Sequence, residues 1–311
     1  MINTPYKRAE IGSASIHPGF QLIIFIGVFI GVLIIGNVIG AGVVAAVYGL
    51  ETFTALTTLK TDAPHFINAL WVLQIAGTTL PIFVAPVLFS YFVVNDPADY
   101  IKPCFRFTGL LMVLVLCIMF TSSPLIEFLS NLNQKMVLPP FLQWMKDKED
   151  EAQKITDVML QMQSVWDVIL NVLLIGLLTA IVEEFMFRGC LQTIFFRWTG
   201  NIHAAIWITA ILFSAFHMEF FGFLPRLLLG ALFGYFVAWS GSIWPGVWGH
   251  FINNSTAVIA FYLYQKKTIK INPNDQHLFD PKVYMVSFII ILILLYIYQR
   301  TALNKKNIQE S

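Results

Sequence analysis

The chain has 311 residues, of which 57% are hydrophobic and 12% charged, with a formal net charge of +1 and a mean hydropathy of +0.72. Soluble domains carry roughly 25% charged residues, so this composition excludes a soluble fold over most of the chain, and so small a net charge gives nucleic acid no electrostatic footing. Three cysteines, Cys104, Cys117 and Cys190, are odd in number and lack metal-ligand spacing, so they support neither a disulfide framework nor a cysteine zinc site.

The expected fold class is therefore all-α, a polytopic membrane protein with about eight transmembrane helices. Met1 to Gly19 does not read as a cleaved signal, because the apolar run that follows exceeds the roughly 7–15 residues of a signal core. The first span, Phe20 to Leu50, has no charged residue. At about 1.5 Å per residue it outruns the apolar thickness of a bilayer, so it must tilt, kink or emerge. Gly27-x-x-x-Gly31 and Gly36-x-x-x-Gly40 on this span offer small-residue faces for close helix approach. The second span runs from Phe66 to Val94, with Pro81 and Pro86 expected to kink it, and the third from Phe107 to Leu129.

A polar connection follows, in which Pro139-Pro140 precedes the charged run Lys146 to Glu151. It is expected to be a solvated helical loop without chemistry. The fourth span begins near Val165, the fifth covers His203 to Met218, and the sixth covers Leu224 to Trp239 with Pro225 near its first turn. Gly241 to Pro245 makes a tight turn into the seventh span, Val247 to Tyr264, and the eighth covers Val283 to Tyr298. The chain thus divides into an N-terminal three-helix part (1–130), the polar connection (131–164), a helical core (165–265) and a last helix with a basic tail (266–311). With eight spans, Lys7, Arg8, Arg197, Arg300, Lys305 and Lys306 share one side, which the positive-inside rule makes cytosolic. Lys266, Lys267 and Lys270 fall on the other side and oppose that assignment.

The core is where charge enters the apolar sequence. Between Val165 and Val182 only Asp167 is charged, and then Glu183, Glu184 and Arg188 stand in a run otherwise fit for lipid. A charge at the bilayer centre costs roughly 2.5–3.5 kcal/mol on insertion scales, so such groups face a cavity and a partner. Residues four apart share a helix face, which pairs Glu184 with Arg188. Glu183, rotated by about 100°, is left to face a cleft. His250 and Asn254 are also four apart. Glu183 lies 17 residues before Gly200 and His217 lies 17 after it, so a hairpin turning at Gly200-Asn201 brings them to similar depth. His250 follows the Trp244-Pro245 turn on the same side. The expected site lies within the membrane, nearer the cytosolic face, between the fourth, fifth and seventh spans.

Taken singly, His217 is an ordinary helix-end histidine, Asn254 an interhelical hydrogen-bond donor and Glu184–Arg188 a structural ion pair. Together they have the parts of a hydrolase. A carboxylate in an apolar site can act as general base on water, and a histidine can hold or polarise that water. A second histidine and an asparagine amide can stabilise an oxyanion. Glu183, His217 and His250 equally suit a divalent metal such as zinc with one open position. There is no His-Glu-x-x-His motif, and although Ser214 and Ser255 are near in sequence they lack a Gly-x-Ser-x-Gly context. His203, Glu219 and Arg226 lie near span ends and read as interfacial.

Glu-Glu-x-x-x-Arg (183–188), Phe-x-x-x-His (213–217) and His-x-x-x-Asn (250–254) resemble the three motifs of the CAAX prenyl protease and bacteriocin-processing (Abi) family of intramembrane endopeptidases. Gly241-Ser242-Ile243-Trp244-Pro245 resembles its bacterial branch, and the resemblance covers about Val165 to Tyr264. It implies an eight-helix glutamate-dependent protease of a bacterial cytoplasmic membrane. Glu183 and His217 would activate water, His250 and Asn254 would stabilise the oxyanion, and Glu184 and Arg188 would support the site. No cofactor is certain; the family is often labelled metal-dependent, which would fall to Glu183, His217 and His250. The implied partners are membrane lipid and a membrane-associated or lipidated peptide or protein. The alternative is a peptide-binding or immunity protein that uses the same cavity without cutting. A transporter with a buried proton-carrying carboxylate ranks third, because the two halves show no internal repeat.

Overall fold

The computed structural model describes residues 16–105, 107–270, 272 and 278–309, with side chains to residue 304 at the C-terminal end. Lys7 and Arg8 lie outside the described residues, as do the side chains of Lys305 and Lys306. The described residues form helices and no strand: α1 (Pro18–Thr57), α2 (Phe66–Val93), α3 (Gly109–Gln134), α4 (Gln143–Met159), α5 (Val165–Thr199), α6 (Ile202–Phe216), α7 (Phe223–Ser240), α8 (Trp244–Gln265) and α9 (Pro281–Gln309).

α1 breaks at Gly49, next to its expected end, at φ 85° and ψ 162°, a conformation open to glycine, and a further helical segment continues to Thr57. Beyond the break, Ala55 and Leu56 return to pack with Val44, Phe66 and Ala69. The two glycine pairs on α1 behave differently. A Cβ on Gly36 would stand 2.8 Å from Pro81 Cγ and one on Gly40 3.2 Å from the Ala76 Cβ, so this pair seats α1 on α2. Gly27 and Gly31 have nothing within 4 Å. Pro81 has no N–H for the Gly77 carbonyl four residues back, and Asn37 Nδ2 of α1 donates to that carbonyl at 2.9 Å. α2 absorbs its prolines through two wide π-turns, Ile75–Thr79 and Phe89–Val93.

Among the described residues six helices are long and apolar enough to cross a membrane: α1, α2, α3, α5, α7 and α9. The other two expected spans do form as helices. α6 is apolar but has only 15 residues, and α8 has 22 residues interrupted by His250, Asn253, Asn254 and Ser255. Three of the polar residues that lower the apolarity of α8, His250, Asn253 and Asn254, line the candidate site. The polar connection is helical, as expected: α4 is amphipathic, with no buried residue.

Burial orders the helices around the site. In the most apolar stretch of each, the buried share is 6% in α1 and 17% in α9 but 56% in α7. α7 is thus central, and α1 and α9 present rows of exposed Ile, Val and Phe suited to lipid. One apolar cluster joins Phe25, Ile82 and Phe89 of α1 and α2 to α5, α6 and α7; another joins α3 and α9 to α7 and α8. The α7–α8 turn, with Gly241 at φ 70°, is tied to the α2–α3 connection. Ile243 N donates to Lys102 O at 3.0 Å, and Trp244 Nε1 donates to Pro103 O at 2.9 Å.

Candidate active site

α5 is the helix that carries the carboxylates, and glycines set its seating. Arg188 Nη2 donates to Gly230 O at 3.1 Å and Gln192 Nε2 to Gly234 O at 3.2 Å. Two side chains four apart on α5 thus reach two carbonyls four apart on α7, which fixes one register between the helices. A Cβ on Gly176 would stand 2.5 Å from Ser255 Oγ, so α8 approaches α5 where α5 has no side chain. Gly176 sits in the π-turn Val172–Leu178. The Ile175 carbonyl of that turn accepts from Asn254 Nδ2 at 3.1 Å. A second π-turn, Phe185–Leu191, follows the carboxylates directly.

Glu184 and Arg188 are fully buried and paired, with Arg188 Nη1 2.6 Å from Glu184 Oε1. The guanidinium lies 4.3 Å from the centre of the Phe213 ring and 5.3 Å from that of Phe233. Such aromatic faces offset part of the cost of burying the cation. His250 Nδ1 is also 3.1 Å from Glu184 Oε1, and the imidazole stacks on Phe233 at 5.1 Å. Glu184 therefore orients His250 so that its Nε2 faces Glu183 Oε2, 3.8 Å away.

His217 approaches the same oxygen from α6. Its Nδ1 lies 2.8 Å from Phe213 O, and a carbonyl can only accept, so Nδ1 carries the proton. Its Nε2 then stands 4.0 Å from Glu183 Oε2. Glu183 Oε2 is buried and takes no hydrogen bond within the protein. Both gaps are too long for direct hydrogen bonds and suit a small polar molecule between the groups. Glu183, His217, His250 and Asn254 line one cavity of about 80 Å³. Glu184 and Arg188 stand behind its wall.

Three further polar residues line that cavity and were not among the expected site residues: Thr179, Asn253 and Arg226. Thr179 lies four residues before Glu183, on the same face of α5, and that spacing is visible in the sequence. Asn253 Nδ2 donates to Asn254 Oδ1 at 3.2 Å. Arg226, expected to be interfacial, instead turns into the cavity from the first turn of α7, a placement set by how α7 packs. His203 stays exposed and meets Tyr235 Oη at 2.8 Å.

The donor set does not fit a resident metal as it stands. Tetrahedral zinc holds nitrogen and oxygen donors at about 2.0–2.2 Å, which sets neighbouring donors roughly 3.3 Å apart. Glu183 Oε2 is 4.0 Å from His217 and 3.8 Å from His250. Among the described residues no three His, Cys, Asp or Glu side chains stand together closely enough to hold one ion.

Residues 165–256 match the family model of Rce1-like proteins, type II CAAX prenyl endopeptidases. Over these residues the chain is similar to that family. The match begins at the N-terminus of α5 and ends two residues beyond Asn254, so it spans the four helices that build the cavity. No curated protein and no solved structure matches the chain. The matched family is one of proteases, and the apolar helices around the match make the chain a multi-pass membrane protein.

Proposed function

We propose that the protein is an intramembrane endopeptidase that cuts a membrane-associated or lipidated peptide with water activated by Glu183. Residues 165–265 would form the catalytic core, the first three spans its wall, and α6 and α8 would complete an eight-span bundle in a bacterial cytoplasmic membrane. The observation that carries the reading is the bare, buried Glu183 Oε2 facing His217 Nε2 and His250 Nε2 across gaps of 4.0 and 3.8 Å. A water in that gap donates one hydrogen to Glu183 and the other to the bare His217 Nε2. Its oxygen attacks the scissile carbonyl. Glu183 keeps the proton and returns it to the departing amine as the C–N bond breaks.

The developing oxyanion falls to His250 and Asn254. Asn254 uses one amide hydrogen on Ile175 O and keeps the other for the oxyanion. His250 gives its Nδ1–H to Glu184, so it donates from Nε2 as an imidazolium. Charge then balances within the wall, with Glu183 and Glu184 against Arg188 and His250. Glu184 and Arg188 are positioning residues, because they touch His250 and not the substrate.

The test compares peptides in membrane fractions, by mass spectrometry, from cells making the wild type and cells making Glu183→Gln. The substitution keeps the shape and removes the base. Fragments that vanish in the variant at equal protein level name the substrate. An unchanged fragment set together with a surviving wild-type phenotype would instead favour a peptide-binding protein that does not cut.

A further inference from the structure

Arg226 brings a cation into the cavity that the three motifs do not supply. It lines the same space as Glu183, His217, His250 and Asn254. Its two terminal nitrogens have different surroundings. Nη2 is held by Glu219 Oε2, seven residues earlier. Nη1 is buried and makes no hydrogen bond within the protein. A buried donor without an acceptor is costly, and guanidinium N–H groups are obligate donors.

Three features hold the guanidinium in this pose. Glu219 fixes one edge. Gly222 leaves room for the other: a Cβ there would stand 2.9 Å from Arg226 Cζ. The backbone of Gly222, at φ −101° and ψ 3°, is open to any residue, so the glycine serves space and not conformation. The α6–α7 connection is tied down from outside. Asn133 Nδ2 donates to Phe220 O at 2.8 Å, Leu224 N to Asn133 Oδ1 at 2.7 Å and Phe221 N to Glu149 Oε2 at 3.2 Å.

The charges choose the class of acceptor. Glu219 offsets the charge of Arg226, and Glu183 adds a negative charge to the same small cavity. With Glu219 against Arg226 and the wall charges balanced, the cavity has no surplus positive charge for an anionic group, whereas a neutral carbonyl meets a fixed, charge-assisted donor. We infer that Arg226 Nη1 donates to a backbone carbonyl of the bound peptide beside the scissile bond, and so sets the register in which the peptide meets Glu183. Glu219 and Gly222 are positioning residues for that contact. The inference rests on the protease reading and adds to it how the peptide backbone is recognised.

The experiment uses the full-length protein in vesicles of phosphatidylethanolamine and phosphatidylglycerol. The probe is an internally quenched farnesylated peptide, with analogues in which one amide on either side of the cleaved bond is a thioamide, a weaker acceptor. Arg226→Gln should raise KM about tenfold and leave kcat within about threefold. One thioamide should cost the wild type a similar factor and cost Arg226→Gln almost nothing more, as a coupled pair requires. Gly222→Ala, which displaces the guanidinium and leaves its charge, should reproduce the KM effect and covers the case in which Arg226→Gln does not fold. Wild-type turnover with unchanged kinetics in both variants overturns the inference alone, as do losses from variant and thioamide that multiply at both positions. If the wild type cuts neither the probe nor any membrane peptide, the protease reading fails and the inference falls with it.

Discussion

Arg188 and Arg197 stand nine residues apart on α5, and each is joined to carboxylates, the first in a fully buried cluster and the second in a partly exposed one. Arg188 pairs within its own helix with Glu184, at 0% exposure on both sides, and Glu184 passes the constraint to His250. Arg197 reaches off the helix to Asp99 at 2.6 Å and Asp96 at 3.3 Å, donates to Tyr100 Oη at 3.0 Å, and Tyr100 in turn contacts Gln21 of α1. The residue types are alike, and the difference is in what is left over. Beside Arg188, the Glu183 carboxylate keeps a buried oxygen without a partner, facing a cavity. Beside Arg197, both carboxylates are engaged, and the cluster ties α1, the α2–α3 connection and the end of α5 together. A buried carboxylate oxygen left over next to a cavity marks a place for chemistry, whereas carboxylates engaged between elements mark a staple.

The sharpest way to break this comparison is to remove the arginine of the first cluster. Arg188→Met leaves Glu184 charged and buried without its partner, which should cost about 3–5 kcal/mol of stability and also lose cleavage, since His250 is no longer held. Thermal unfolding in detergent and the release of membrane peptides measure the two effects. An unfolding temperature equal to that of the wild type would refute the buried-pair account.

The second cluster also holds Lys102, whose Nζ donates to Thr193 Oγ1 at 2.6 Å. Burial pushes its ammonium down to about 8 from 10.5, against the pull of Asp99. Between those two values the unfolded chain binds the proton that the folded chain has released, so stability rises with pH across that window. Relative to Lys102→Met, the wild type should gain up to roughly 3 kcal/mol between pH 8 and 10.5. Parallel stability curves for the two proteins would show that Lys102 is charged in the fold throughout.

Gly246→Ala probes the support of the first cluster more gently. Its Cβ would stand 2.9 Å from Glu184 Oε2 and 2.7 Å from Val237 Cγ2. About 1–3 kcal/mol of overpacking is expected. Cleavage should fall by roughly tenfold or more as Glu184 and His250 shift. Full activity in this variant would mean that the pose of Glu184 does not govern His250. The smallest effect is expected of Asp99→Asn. Asp96 and Tyr100 still hold Arg197, so the loss should be about 1 kcal/mol with cleavage within about twofold of wild type. A variant that folds normally but no longer cuts would place the second cluster in the chemistry and erase the distinction between the two.

Local spacing made part of the site legible in advance. Glu184 and Arg188, four apart on one helix, meet whatever the helix packs against, and His250 and Asn254 share a face for the same reason. The hairpin at Gly200 sets Glu183 and His217 at equal distances from the turn, and they lie 4.0 Å apart. The two glycine pairs on α1 were indistinguishable by pattern, because a small-residue face says that a helix can approach and not that one does. Arg226 carried no signal either: an arginine near a helix start reads as interfacial until the position of its neighbours is known.

The sequence by itself determined the helices, their order, their approximate ends and the contacts made within one helix, because hydropathy and the 3.6-residue repeat act over a few turns of chain. Only the tertiary structure decided that α7 is central and α1 peripheral, and that Asn254 meets a carbonyl in a π-turn. It also decided that Arg226 rather than His203 enters the cavity. Those outcomes depend on rotation and register between helices, which the close approaches at Gly36, Gly176 and Gly246 set among residues far apart in the chain.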